Sequence, residues 1–253
     1  MALGNLGNGQ FGQLNSRFQP PEDSFTKLLL HFDDTTGQQV VQDYSGNYRG
    51  ITSSSAYITA TYSQFYPSCY AGNKSGTQYW DVASNSDFQF GTASFTVEFW
   101  AMIPSGATST LVQSVITKAV DDSHRLNFLL YQGNMYLQSF DSGDASVRID
   151  ISCPVPTWVV GTWKHFAWVR NNTGPIPTAA SWFFFVDGSP KTKSLGAGSY
   201  ANPTYFGSAN LRIGTDGRTG YSPGTPGFMI DEVRISKGVA RWTATFSPPT
   251  APY

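Results

Sequence analysis

The chain has 253 residues, enough to bury one large core, and its 16 Lys and Arg against 17 Asp and Glu leave a formal charge of −1. A chain this close to neutral, with no run of Lys or Arg, exerts no long-range pull on nucleic acid or an anionic membrane. Charged residues are 13% and aromatics 15%, with 25 Gly and 15 Pro; this excludes a helical bundle or a disordered chain and fits a β-sandwich.

Residues 1–24 stand apart from the rest. They are rich in Gly, Asn and Gln, carry the isolated apolar residues Leu3, Leu6, Phe11, Leu14 and Phe18, and end near Pro20-Pro21. Neither helical nor strand periodicity is present, so the segment is read as an extended arm that docks on a neighbour through those five side chains. Folding back onto its own domain is the alternative. The first fifteen residues have no basic start and no apolar core, so a secretory signal is not expected and synthesis in a cytoplasm is. No stretch approaches 18 apolar residues, which argues against a membrane-spanning helix.

From residue 25 to 253 the pattern is that of one all-β domain. Phe25–Phe32 is the first strand, followed by polar turns at Asp33–Gly37 and Asp43–Asn47. Tyr57–Phe65 alternates Tyr, Ile and Thr, and short Gly-punctuated segments run on to Trp80. Strands are then expected at Phe95–Ile103, Leu111–Thr117, Leu126–Tyr131, Met135–Phe140 and Val147–Ile151, with Gln132-Gly133-Asn134 as a hairpin turn. The chain is organised around Gly161–Pro190. There Trp163, His165, Ala167 and Val169 share one face of a strand, and Lys164, Phe166, Trp168 and Arg170 share the other. Ser181–Val186 is almost wholly apolar and aromatic, as a strand covered on both faces should be, and stops at the turn pair Asp187-Gly188. Leu211–Ile213 and Phe228–Ile235 complete about a dozen strands spaced as in an antiparallel sandwich or jelly roll. The links Lys191–Asn210 and Thr215–Gly227 are expected to run over the surface, and loops of that length are often functional.

The chemistry available is sparse. Two cysteines, Cys69 and Cys153, have no metal-like spacing and are read as buried thiols, with a single disulfide as the alternative. The three histidines (31, 124 and 165) have no metal-binding spacing either, and His165 is read as a core histidine. Hydrolytic jelly rolls need two carboxylates facing the sugar from one strand. Glu98 stands alone between Val97 and Phe99, and Asp231 and Glu232, as strand neighbours, are expected to point to opposite faces. Asp141, Asp144 and Asp150 lie near a turn without strand phasing. No enzyme is expected. Tyr205, Arg218 and Tyr221, with Tyr200 and Phe206, populate the long loops and form a candidate glycan surface, although loop aromatics also serve to pin loops to a sandwich. Asn73-Lys74-Ser75 and Asn171-Asn172-Thr173 match the glycosylation tripeptide, which an unexported chain would not use.

Five motifs occur in one order: Asp43-x-Ser45-Gly46, Phe95-Thr96-Val97-Glu98-Phe99-Trp100, Trp163-x-His165-x-Ala167, Asp187-Gly188 and Ile230-Asp231-Glu232-Val233-Arg234-Ile235. Together they resemble the laminin-G-like, concanavalin A-like jelly rolls across residues 25–247. The ending, Lys237–Trp242 with Phe246–Pro249, is similar to the close of such domains in bacteriophage structural proteins. The resemblance implies an antiparallel β-sandwich and, since many members bind calcium between the early polar turn and the last strand, makes Asp43 and Asp231 the candidate calcium ligands. It implies a structural virion protein of a tailed bacteriophage, most simply a capsid decoration or cement protein. The arm would tie it to the major capsid protein or a tail component, and a homo-oligomer is a further expectation. A carbohydrate-binding or adhesion module that meets a cell-surface glycan is the alternative, because this fold serves both.

Overall fold

The computed structural model describes residues 23–65, 67–71, 78–104, 113–121, 123–131, 133–140, 147–155, 160–201, 204, 207–215 and 228–253. The strands, in chain order, are β1 (Thr26–Leu30), β2 (Ile51–Ser54), β3 (Tyr57–Thr59), β4 (Cys69–Ala71), β5 (Tyr79–Val82), β6 (Phe95–Met102), β7 (Gln113–Asp121) and β8 (His124–Tyr131). They continue with β9 (Asn134–Phe140), β10 (Val147–Pro154), β11 (Lys164–Arg170), β12 (Trp182–Val186), β13 (Ser189–Pro190), β14 (Ser194–Gly198), β15 (Leu211–Ile213) and β16 (Met229–Lys237). They form two antiparallel sheets, as the all-β jelly-roll expectation requires. Sheet A runs β13-β12-β11-β6-β16-β4-β3, with β1 also paired to β16, and sheet B runs β14-β10-β9-β8-β7-β15-β5-β2. Among the described residues no helix is long and apolar enough to cross a membrane.

The core between the sheets follows from period-2 alternation. On β11, Phe166 and Trp168 face inward, and on β6 Phe95, Val97, Phe99 and Ala101 do the same. Phe99 stacks on Phe166 at 5.5 Å and on Trp168 at 5.4 Å, and Trp168 meets Phe128 of sheet B edge-on at 5.4 Å. Each such pair adds about 1 kcal/mol to the burial of its rings. Arg170 also points inward. Its guanidinium lies 5.0 Å from the rings of Phe95 and Trp182 and donates to the carbonyls of Phe90, Gly91 and Ala93, tying down the loop that leads into β6. Burial holds its pKa down to about 9. Asp187 (φ 51°) and Gly188 (φ 70°) make the hairpin turn that the sequence marks. Cys69 and Cys153 are free, buried thiols on different sheets.

Several boundaries depart from the sequence reading. The strand expected over Tyr57–Phe65 ends at Thr59, whose hydroxyl accepts from the Thr61 amide at 3.2 Å and turns the chain locally. Ile51–Ser54 and Cys69–Ala71 are strands too short to show a pattern. Within Lys191–Asn210, Ser194–Gly198 pairs with β10 instead of running free. Gly and Ala give no strand signal there, and the neighbouring strand supplies the order.

Sheet A is covered on its outer side as well, by residues 238–253. Trp242 and Phe246 stack on each other at 3.9 Å over Ala167, Val169 and Phe185. Phe246 fits so closely that a Cβ at Gly188 would fall 1.8 Å from its carbonyl oxygen. Beneath this cover lies Glu98, with 0% exposure. Arg234 donates to its Oε1 from Nε at 2.9 Å and Nη2 at 2.8 Å, and Trp242 Nε1 donates to Oε2 at 2.7 Å. His165 Nε2 lies 3.5 Å from Oε2 and 2.9 Å from the Tyr253 hydroxyl. Glu232, next along, holds His31 Nδ1 at 2.9 Å and accepts from the Tyr253 amide at 3.0 Å.

The expectation that Asp231 and Glu232 face opposite ways fails here. A bulge between Asp231 and Arg234, with Glu232 at φ 54°, breaks the alternation and brings both carboxylates to the outer side. The same bulge lets β16 change neighbours, from β4 at Met229–Ile230 to β1 at Val233–Ser236.

Burial by itself would raise the Glu98 carboxyl, but His165, Arg234 and Trp242 together hold it down at about 2, against an ordinary 4.5. A depressed folded-state pKa stabilises above the unfolded value, so Glu98 contributes about 3 kcal/mol at neutral pH. This contribution is lost as the pH falls from about 4.5 toward 2. Glu98→Gln is expected to cost about 3–5 kcal/mol at pH 7 by breaking a buried pair. Urea titrations of both proteins from pH 7 to pH 2 check this: the gap between their stabilities should close with acidification.

Candidate functional site

The residues that the sequence singles out for ligands are not gathered in one place. Asp43 sits at the foot of its turn, and its carboxylate is surrounded by amides. Oδ1 accepts from Leu29 at 3.1 Å and Ser45 at 2.9 Å, and Oδ2 accepts from Arg49 at 3.1 Å. Three N–H groups aimed at one carboxylate present positive dipoles where a calcium ion would need oxygen, so this donor set does not fit the ion. Asp231 is anchored elsewhere. Its Oδ2 accepts from the amides of Gln64 and Phe65, its Oδ1 has no partner, and burial followed by the Glu232 charge pushes its carboxyl well above the ordinary range. Among the described residues no three His, Cys, Asp or Glu converge where a metal could sit. Tyr205, Phe206, Arg218 and Tyr221 lie outside the described residues, as do Leu3, Leu6, Phe11, Leu14, Phe18, Asp141 and Asp144. Tyr200 is half-buried and packs against the main core.

Asp150, by contrast, is found in phase. Its strand neighbours Ile149 and Ile151 enter the core, so Asp150 faces outward from sheet B. Register then aligns Asp150, Gln138, Asn127, Thr117, Arg212 and Asp81 across six consecutive strands. The sequence concealed this row because its members are up to 131 residues apart (212 − 81) and are joined only by strand pairing. The visible signal was the alternation in β9, where Met135 and Leu137 are buried between half-buried Tyr136, Gln138 and Phe140.

At the β9–β10 end, Gln138 Nε2 donates to Asp150 Oδ1 at 3.3 Å. The Tyr131 and Tyr136 rings lie 6.3 Å apart, and burial, then Asp150 and Tyr131, raise the Tyr136 hydroxyl pKa. A glycine at 196 leaves room beside the carboxylate, since a Cβ there would approach Asp150 Oδ2 to 2.9 Å. On the same face the Arg125 guanidinium lies 3.7 Å from the Phe140 ring centre. At the far end Arg212 lies 4.8 Å over Tyr79 and 3.9 Å from Asp81. The central pair, Thr117 and Asn127, is buried, and the outer members are half-buried.

Rings beside an amide and a carboxylate suit a hydroxylated ligand: apolar C–H faces pack on the tyrosines, and hydroxyl groups pair with Gln138 and Asp150. The two carboxylates of the row do not suit glycoside hydrolysis. Asp150 and Asp81 are five strand spacings apart, about 24 Å, where a catalytic pair needs about 5–9.5 Å.

The chain is a two-sheet antiparallel jelly roll, and sequence places it further. The family model described as the concanavalin A-like lectin/glucanases superfamily matches residues 74–243, well over half of the chain. The chain belongs to that family. No curated protein matches it significantly in sequence. Among solved structures it is similar to the binding domain of Paraclostridial Mosquitocidal Protein 1, with a TM-score of 0.59, 13% identity, and coverage of 84% of this chain and 48% of that one. It is also similar to the binding domain of botulinum neurotoxin DC in complex with rat synaptotagmin II, with a TM-score of 0.57, 11% identity, and coverage of 88% and 49%. The same toxin domain in complex with SialylT gives 0.57, 12% identity, and coverage of 88% and 49%. The chain thus spans about half the length of these toxin domains, and at such identity the likeness is one of fold.

Proposed function

We propose that the chain is a non-enzymatic binding module that holds a carbohydrate, or a receptor bearing one, on the outer face of sheet B. The observation that carries this reading is the convergence of Tyr131, Tyr136, Gln138 and Asp150 on adjacent strands with their side chains turned away from the core. The toxin domains that share the fold, one in complex with synaptotagmin and one with SialylT, lend it support. Tyr205, Arg218 and Tyr221 are the loop residues that would extend such a surface. A glycan array on the purified chain, with and without calcium, tests the reading. Tyr136→Ala and Asp150→Asn are expected to weaken the best ligand at least tenfold while leaving the melting temperature within a few degrees. Failure to bind any glycan in either condition contradicts it.

The setting we propose is the surface of a tailed-bacteriophage virion, where a capsid decoration protein displays this domain and residues 1–24 anchor it to the major capsid protein or a tail component. The Lys237–Pro249 segment, similar to phage structural proteins, supports this setting. Such an arm would gain affinity by burying Leu3, Leu6, Phe11, Leu14 and Phe18 on its partner. Deleting residues 1–24 is expected to abolish co-sedimentation with particles and to leave the circular dichroism spectrum of the sandwich unchanged. Undiminished co-sedimentation would rule out the anchor.

A further inference from the structure

On the outer face of sheet A, Trp242 and Phe246 rest on residues of β11 and β12. Toward β4 the same face carries a different set of side chains. Ile230, Tyr70 and Ala101 enter the core, so alternation turns Met229 and Asp231 of β16, Cys69 and Ala71 of β4, and Trp100 and Met102 of β6 outward. Register fixes their places. Met229 stands opposite Met102 on one side and Ala71 on the other, and Asp231 stands opposite Trp100. Cys69 lies one outward position along β4 from Ala71. Cys69, Ala71, Met102 and Met229 pack as one cluster against half-buried Tyr62 and Trp163. Three sulfur-bearing side chains from three adjacent strands thus share a patch two strand spacings wide, about 10 Å.

Beside them is a buried carboxylate oxygen with no donor. Asp231 is 0% exposed, and its Oδ2 accepts from the amides of Gln64 and Phe65. Its Oδ1 has no hydrogen-bond partner among the described residues. The Asp231 charge acts on the Cys69 thiol, as expected of groups that face each other across β4 and β16. The charged groups that bear on Asp231 itself, Glu232 and Asp33, are both acids.

We propose that Cys69, Met102 and Met229, with Asp231 Oδ1 beside them, form a site for a soft monovalent cation, copper(I). Thiolate and thioether sulfur are the donors that favour Cu(I), whereas calcium takes about six to eight oxygens and finds one here. The ion also brings the positive charge that the buried Asp231 lacks. Methionine is unbranched, so Met102 and Met229 can swing their sulfurs toward an ion without disturbing the strands. Met229, at 9% exposure, is the member of the set nearest solvent. On binding, the Cys69 S–H bond breaks, a Cu–S bond forms and the proton passes to solvent, with no change in oxidation state. The site is on the opposite sheet from the proposed glycan face and is independent of what that face binds.

Anaerobic titration of the reduced full chain with Cu(I), in competition with the chromogenic chelator bathocuproine disulfonate, tests the proposal. The wild-type chain is expected to withdraw one equivalent from the chelator. Cys69→Ser is expected to weaken binding at least a hundredfold. Met102→Leu with Met229→Leu, which conserves volume, should weaken it at least tenfold and leave the melting temperature within a few degrees. Cys153→Ser should change nothing. Should Cys69→Ser fail to fold, the methionine pair still decides. No uptake by the wild-type chain, uptake indifferent to the methionine pair, or uptake lost with Cys153→Ser overturns the site.

Discussion

The structure depends on keeping an ionised carboxylate, Glu98, inside protein. Isolated, such a charge would cost several kcal/mol to desolvate. Here four side chains from two strands and the C-terminal segment converge on it or on its partners: Arg234, His165, Trp242 and Tyr253. The consequence is geometric. Glu98 on β6, His165 on β11 and Arg234 on β16 must stay in register, and residues 238–253 must lie across them. An apolar patch of the same size would tolerate slippage, whereas a buried carboxylate held on one oxygen by two guanidinium N–H groups and on the other by an indole N–H does not.

That arrangement also directs where a ligand can be met. The three central strands of sheet A are buried on both faces, inward by the aromatic core and outward by Trp242, Phe246 and Tyr253. Sheet B has half-buried polar and aromatic side chains toward the ends of its outer face, at Tyr136, Gln138 and Asp150 and again at Tyr79 and Arg212. The two sheets of one sandwich therefore differ: sheet A is closed on both faces and carries the rigidity, and sheet B bears the face proposed for recognition.

Much of the sandwich was legible in the sequence because alternation and turn chemistry are local. The two faces of Trp163–Arg170 and the Asp187-Gly188 turn are set by residues next to one another. What was hidden is non-local or contrary to pattern. The bulge that swings Glu232 to the side of Asp231 requires a positive φ at a glutamate, which no periodicity announces. Asp150 looked unphased because its neighbours in the chain say nothing of its neighbours across the sheet, Gln138 on one side and Ala197 on the other. Asp43 carries the right residue type for calcium, yet the turn it organises uses both of its oxygens.

The most direct measurement is a ligand titration of isotope-labelled chain followed by amide chemical shifts, using the tightest glycan available. Binding on the outer face of sheet B should move the amides of Tyr131, Tyr136, Gln138 and Asp150 first and most, and leave those of Glu98, His165 and Arg234 in place. Shifts confined to residues 238–253, or to loops remote from β9 and β10, would contradict the assignment of the binding face.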